Sequence, residues 1–101
     1  MVGVDRKRLV ADLEERFGGT EEALRAVSRQ AMDLADSGRI EEDMGYELTA
    51  DAVVSNMADA PDDYPVVERW NWWIGSLELS YGAYQRFRVR PDIGVTDSGP
   101  E

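Results

Sequence analysis

The chain has 101 residues, 43% of them hydrophobic, which suits one domain with a real core and excludes wholesale disorder. Its 21 acidic and 11 basic residues give a formal charge of −10, which opposes compaction in dilute buffer. The lack of cysteine and histidine excludes disulfides, thiolate zinc sites and the usual nucleophile–base pairs, and the apolar runs are too short to cross a membrane.

The first two predicted helices form an αα-hairpin over residues 5–37. Apolar side chains recur on one face of the segment from Asp5 to Phe17, and a glycine pair follows it and ends the helix. Thr20 is suited to cap a second helix, which Gly38 stops. Small alanines on the inner face of the second helix favour close packing against the first.

Residues 38–48 show no sustained period and are predicted to be a loop. Thr49 then caps a third helix that continues to about Ala60, where Pro61 ends it because the residue before a proline avoids the helical region. The inner side of this helix is formed by Val53, Val54 and Met57. The loop is too long for a helix-turn-helix motif, whose turn has about three to four residues.

The fourth predicted helix, from Val66 to Tyr81, has the clearest pattern. At about 100° per residue, one arc of the helix collects Val66, Val67, Trp70, Trp73, Ile74, Leu77 and Tyr81. Trp72 and Leu79 lie on the opposite side with Gly75, and glycine costs about 1 kcal/mol relative to alanine inside a helix. Two interpretations stay open: a helix–helix contact surface, or a helix that the C-terminal strand covers on its second side.

The C-terminal part is predicted to form a short strand. Gly82 ends the preceding helix, and apolar and polar residues alternate over residues 83–89. Residues 91–101 have the composition of a flexible tail. The predicted fold is therefore mainly α: a single four-helix domain over residues 1–90 with a short C-terminal strand or hairpin, followed by the tail.

The segment from Tyr81 to Arg90 is the best candidate for nucleic-acid contact, because it mixes aromatic and basic residues and contains no acid. Its candidate contacts are Tyr84, Arg86, Arg88 and Arg90. Residues 36–63 hold nine acids and one base, however, so the arginines have partners within the chain. We therefore favour a solvated strand face over a nucleic-acid site.

The basic residues are ten arginines and the single Lys7. Abundant acids with almost no lysine are typical of halophiles that accumulate salt, in which the Debye length at about 1 M falls to roughly 3 Å. The alternative is an acidic mesophilic protein from a GC-rich genome. The segment RWNWWIGSLELSYG (Arg69–Gly82) resembles small uncharacterised proteins of halophilic archaea, a resemblance that implies no activity and no site residue.

These observations predict a non-enzymatic protein-interaction module of a halophile cytoplasm, which needs high salt for stability. It is expected to self-associate, or to bind another cytoplasmic protein, through Trp72, Gly75 and Leu79. The second interpretation is a nucleic-acid-associated protein that uses the Arg86–Arg90 segment, and the third is a small-molecule enzyme with buried carboxylates. No catalytic residue, cofactor, metal or membrane contact is predicted, and the N-terminus lacks the apolar core of a signal peptide.

Overall fold

The computed structural model of the protein describes residues 5–90, which pack around one apolar core. Within this range there are five α-helices, one turn of 3₁₀ helix and no β-strand. The helices are α1 (Arg6–Phe17), α2 (Glu21–Ser37), α3 (Arg39–Met44), α4 (Ala50–Ala58) and α5 (Val66–Tyr81), and the 3₁₀ turn is Gln85–Phe87. The prediction of a mainly α fold is confirmed.

Side-chain caps fix where three of the helices begin. The hydroxyls of Thr20 and Thr49 each accept a 3.1 Å hydrogen bond from the backbone N–H three residues later, as predicted. Asp5 caps α1 in a similar way, with its carboxylate 3.1 Å from the N–H two residues later. Each cap satisfies a backbone donor that has no partner within the helix, which typically contributes about 1 kcal/mol. Gly38 ends α2, as predicted, and its backbone is in the left-handed conformation.

The core forms where α5 packs against α2 and α4. Helix α5 packs against α2, α4 and the 3₁₀ turn, and α1 packs against α2 and α4. Trp70 and Ile74 of α5 are fully buried, as are Val53 and Met57 of α4. The predicted inner faces of both helices are therefore confirmed, apart from Tyr81. Tyr81 is the last residue of α5. It lies outside the core and is 46% exposed.

The prediction of a loop over residues 38–48 is wrong, because Arg39–Met44 forms α3. Gly38 and Gly45 bracket this helix, both with left-handed backbones (φ 75° and 81°). Ile40 is its one fully buried side chain. Six residues are too few to show a hydrophobic period, and helices this short depend on packing rather than on intrinsic propensity. The sequence pattern therefore carried no signal for α3.

The predicted strand or hairpin at residues 83–89 is also wrong. Ala83 has a positive φ of 64°, which breaks an extended chain. The 3₁₀ turn follows, in which the Phe87 N–H donates to the Tyr84 carbonyl at 3.0 Å. Because a 3₁₀ turn brings residues three apart to the same side, Tyr84 and Phe87 are both buried, whereas strand alternation would separate them. The predicted tail, residues 91–101, lies outside the described residues.

Candidate interaction surface

The outer face of α5 carries two of the large exposed apolar side chains of residues 5–90. We define the α5 outer face as the residues that successive turns place on this side: Glu68, Trp72, Gly75, Ser76 and Leu79. Trp72 is 38% exposed and Leu79 is 90% exposed. A Cβ atom built on Gly75 would meet no heavy atom within 4 Å outside its own helix backbone. The structure thus brings the three residues singled out from the sequence onto one open face.

The C-terminal segment (residues 82–89) packs along a different side of α5. The Trp70 indole N–H donates to the Phe87 carbonyl at 2.7 Å, and this hydrogen bond is buried. The Glu78 carboxylate accepts from the backbone N–H groups of Tyr84 at 2.7 Å and Gln85 at 3.2 Å. The hydrogen bonds between this segment and α5 therefore lie away from the α5 outer face. Residues 82–89 leave Leu79 90% exposed, so they do not cover it, and they leave Trp72 38% exposed.

Three of the four side chains of the tetrapeptide Trp70–Trp73 form hydrogen bonds or ring contacts within the fold. Trp70 and Trp73 are buried and pack edge to face, with ring centroids 5.5 Å apart. The Asn71 side chain accepts from the Val89 N–H at 2.9 Å and donates to the Val89 carbonyl at 2.7 Å. Trp72 forms no hydrogen bond and no ring contact with the other described residues. Trp72 is thus the one side chain of the four without such a contact.

A polar cluster holds Tyr84, one of the four candidate nucleic-acid contacts. The buried Tyr84 hydroxyl donates to the Asp43 carboxylate at 2.6 Å. The Arg39 guanidinium lies over the Tyr84 ring at 4.8 Å and donates to the carbonyls of Gly82 and Ala83 at 3.0 and 3.2 Å. Burial, followed by the hydrogen bond to Asp43, raises the pKa of Tyr84 well above that of an ordinary phenol. This ring is therefore not available to stack on a base.

The other three candidate nucleic-acid contacts, Arg86, Arg88 and Arg90, are exposed and lie beside α2. The Arg86 guanidinium stacks over the Phe87 ring at 4.6 Å. Asp33 of α2 lies in the same grooves as these arginines. The structure thus separates the four residues into one buried tyrosine and a row of surface arginines.

Arg69 is a buried structural residue that the sequence did not reveal. It is 8% exposed, and its guanidinium lies 4.6 Å from the centre of the Phe17 ring. It donates to three backbone carbonyls, at 2.8, 3.3 and 2.9 Å, those of Tyr64, Met57 and Asp62. This side chain therefore joins the end of α4, the following loop and α5. Because its acceptors are backbone atoms, no residue type in the sequence could have indicated them.

Residues 5–90 contain neither a cluster of candidate metal ligands nor a helix that could cross a membrane. Among residues 5–90, no three acidic side chains lie close enough together to hold a metal ion. Each helix in this range also falls short of the length and hydropathy that a bilayer crossing requires.

Comparison with known proteins identifies a family. Residues 1–78 match the family described as the WNWW domain. The matched range contains the tetrapeptide Trp70–Trp73, which reads WNWW in one-letter code. The chain therefore belongs to the WNWW domain family. No curated protein and no solved structure matches it.

Proposed function

We propose that this member of the WNWW domain family is a non-enzymatic interaction module that forms a homodimer through the α5 outer face. The observation that carries the proposal is the exposure of Trp72 and Leu79 beside an open surface at Gly75. Exposed apolar patches tend to mark association sites, and tryptophan is enriched among the residues that dominate binding energy. The cytoplasm of a halophile is the proposed setting, supported by the acidic, arginine-rich composition.

The spacing of the α5 outer face suits a second helix. Glu68, Trp72, Gly75 and Leu79 follow one another at intervals of four, three and four residues. This is the interval of a seam between two packed helices. Gly75 lies in the middle, where the absence of a side chain permits the backbones to approach closely. A two-fold axis near Gly75 would place each Trp72 against the partner helix.

The apolar surface available on this face predicts a weak dimer. If a tryptophan offers about 250 Å², the 38% exposed fraction of Trp72 is roughly 95 Å², or about 2 kcal/mol on burial. Leu79 is 90% exposed and adds about 2 kcal/mol. Burial of both side chains in both protomers is then worth roughly 8–10 kcal/mol in total. The cost of association, at least about 4 kcal/mol, is subtracted from this gain. A dissociation constant on the order of 0.1 mM follows.

Salt should strengthen this dimer. Two copies that each carry a formal charge of −10 repel one another at low ionic strength, and molar salt screens that repulsion. Salts that are excluded from the protein surface also favour apolar burial. Dimerisation is therefore expected to be most evident at about 2 M KCl.

Sedimentation equilibrium of the full chain, from about 10 µM to 1 mM in 2 M KCl, tests the proposal. Trp72→Ala should weaken the dimer by about tenfold or more, since it removes a central contact. The matched control is Tyr46→Ala, which truncates a ring of similar exposure (41%) away from α5. That variant should dimerise like the wild type.

Gly75→Leu separates association from folding. The added Cβ meets no neighbouring atom within 4 Å in the monomer, and leucine raises helix propensity by about 1 kcal/mol, so the monomer should become more stable. The same side chain should block close approach of two helices and lower the dimer fraction. A wild-type chain that stays monomeric throughout the concentration range, or a Gly75→Leu variant that dimerises as well as the wild type, would overturn the proposal.

A further inference from the structure

The arginines of this acidic chain are concentrated along one groove. It runs between α2 and the C-terminal segment and reaches the start of α1, as three adjoining hollows that share lining residues. Six of the ten arginines line it, here called the arginine groove: Arg6, Arg25, Arg29, Arg86, Arg88 and Arg90. Its acidic lining residues are Asp33 and Asp36. The groove is therefore basic in a chain whose formal charge is −10.

The four arginines elsewhere have roles in the fold. Arg8 pairs with two carboxylates, Arg16 stacks on a phenylalanine ring, and Arg39 and Arg69 hold the contacts described above. In the groove, Arg25 pairs with Glu21 at 3.2 Å and Arg86 stacks over the Phe87 ring. Within residues 5–90, no carboxylate lies within 4.0 Å of the guanidinium of Arg6, Arg29 or Arg88. These three guanidinium groups give the groove positive charge that no carboxylate of this range neutralises by an ion pair.

The groove also has a regular geometry. Arg25 and Arg29 are one helical turn apart on α2, a spacing of about 6 Å. Across from them, Arg88 has an extended backbone (φ −72°, ψ 151°), and Arg88 and Arg90 are exposed on either side of the buried Val89. In an extended chain, alternate residues lie about 6–7 Å apart, close to the spacing of Arg25 and Arg29. An extended peptide laid along the groove would therefore place alternate carboxylates beside both pairs of arginines.

We propose that the arginine groove binds an extended acidic peptide segment of a partner protein, with its carboxylates between the two rows. Guanidinium groups bind carboxylates through paired hydrogen bonds, which gives the complementary charge a defined geometry. The aromatic ring that lines the groove, Phe87, is buried, so it is not available to stack on the bases of a single-stranded nucleic acid. This site shares no residue with the α5 outer face and does not depend on the proposed dimer.

Fluorescence anisotropy with the full chain, at the lowest KCl concentration at which circular dichroism shows it folded, tests the proposal. The probe is a labelled ten-residue peptide of alternating Glu and Ala, compared with the same peptide carrying Gln for Glu. The Glu peptide should bind at least about tenfold more tightly. The double variant Arg29→Glu/Arg88→Glu should lose at least about tenfold in affinity, since each reversal turns an attraction into a repulsion.

The matched control is Lys7→Glu/Arg16→Glu, which changes the net charge equally at two exposed positions of α1 outside the groove. Circular dichroism melts establish that all variants fold. The affinity of the control variant for the Glu peptide should stay within about threefold of that of the wild type. If both double variants lose the same affinity for the Glu peptide, binding depends only on net charge, and the proposed site is wrong. Tighter binding of a ten-nucleotide oligothymidylate than of the Glu peptide would overturn the assignment of the occupant, as would no binding of the peptide.

Discussion

Replacing Asn71 with alanine should release the C-terminal segment from α5. The Asn71 amide makes two half-buried hydrogen bonds with Val89, at 2.9 Å to its N–H and 2.7 Å to its carbonyl. Each such bond contributes about 0.5–1.5 kcal/mol net, and alanine recovers roughly 0.5 kcal/mol of helix propensity. Asn71→Ala is therefore expected to lower the free energy of unfolding by about 0.5–2.5 kcal/mol. At about 4–8 °C per kcal/mol for a domain of this size, the Tm should fall by roughly 2–20 °C.

Urea titration and thermal melts monitored by circular dichroism measure this loss. The matched control is Asn56→Ala, because the Asn56 amide is also half-buried but donates only to the Ala52 carbonyl of its own helix, at 2.8 Å. Asn56→Ala removes one such bond and recovers the same helix propensity, so it should lower the free energy of unfolding by no more than about 1 kcal/mol. Equal effects of the two variants would refute the claim that Asn71 holds the segment from 18 residues away.

Three further predictions concern the core, the buried tyrosine and the solvent. Trp70→Ala should cost about 3–5 kcal/mol in urea titration, and a loss below about 1 kcal/mol would place the core elsewhere. Because the pKa of Tyr84 is raised on folding, its contribution to stability is complete below about pH 10 and falls at higher pH. Tyr84→Phe should therefore lose less stability than the wild type between pH 9 and about 11.5, and parallel losses in melts would contradict this. Finally, the Tm should rise from 0.1 M to 2 M KCl as the charge of −10 is screened, and an unchanged Tm would contradict the halophile proposal.

The helices with a long hydrophobic period were predictable from the sequence. The bounds of α5 follow from the 3.6-residue repeat together with the stop at Gly82, and the repeat also gives the outward position of Trp72 and Leu79. The starts of α2 and α4 follow from the threonines at their caps. These features depend on residues within a few positions of one another, so a single sequence carries the whole signal.

The features that the sequence did not reveal depend on distant contacts. The Tyr84 hydroxyl meets Asp43 across 41 residues, and this contact and the Asn71 bonds hold residues 82–89 as a turn rather than a strand. The arginine groove likewise joins Arg6, Arg29 and Arg88 from three separate segments. No local pattern indicates such pairs. The sequence therefore suggested a charged strand face where the fold forms one wall of a groove.

Disulfide trapping at Gly75 tests the central claim, an α5–α5 contact between two copies, most directly. The chain has no cysteine, so Gly75→Cys introduces a single thiol, at a position where a side chain meets open space. A disulfide requires Cα atoms within about 7 Å, which two helices meet only near their crossing point. Ser55→Cys, on the exposed side of α4, is the matched control.

Both single-cysteine chains are oxidised at about 0.1 mM in 2 M KCl and quantified by non-reducing electrophoresis. Gly75→Cys is predicted to form a covalent dimer several times faster than Ser55→Cys, and adding Trp72→Ala should remove that advantage. Equal rates for the two positions, with or without Trp72, would contradict a dimer built on the α5 outer face.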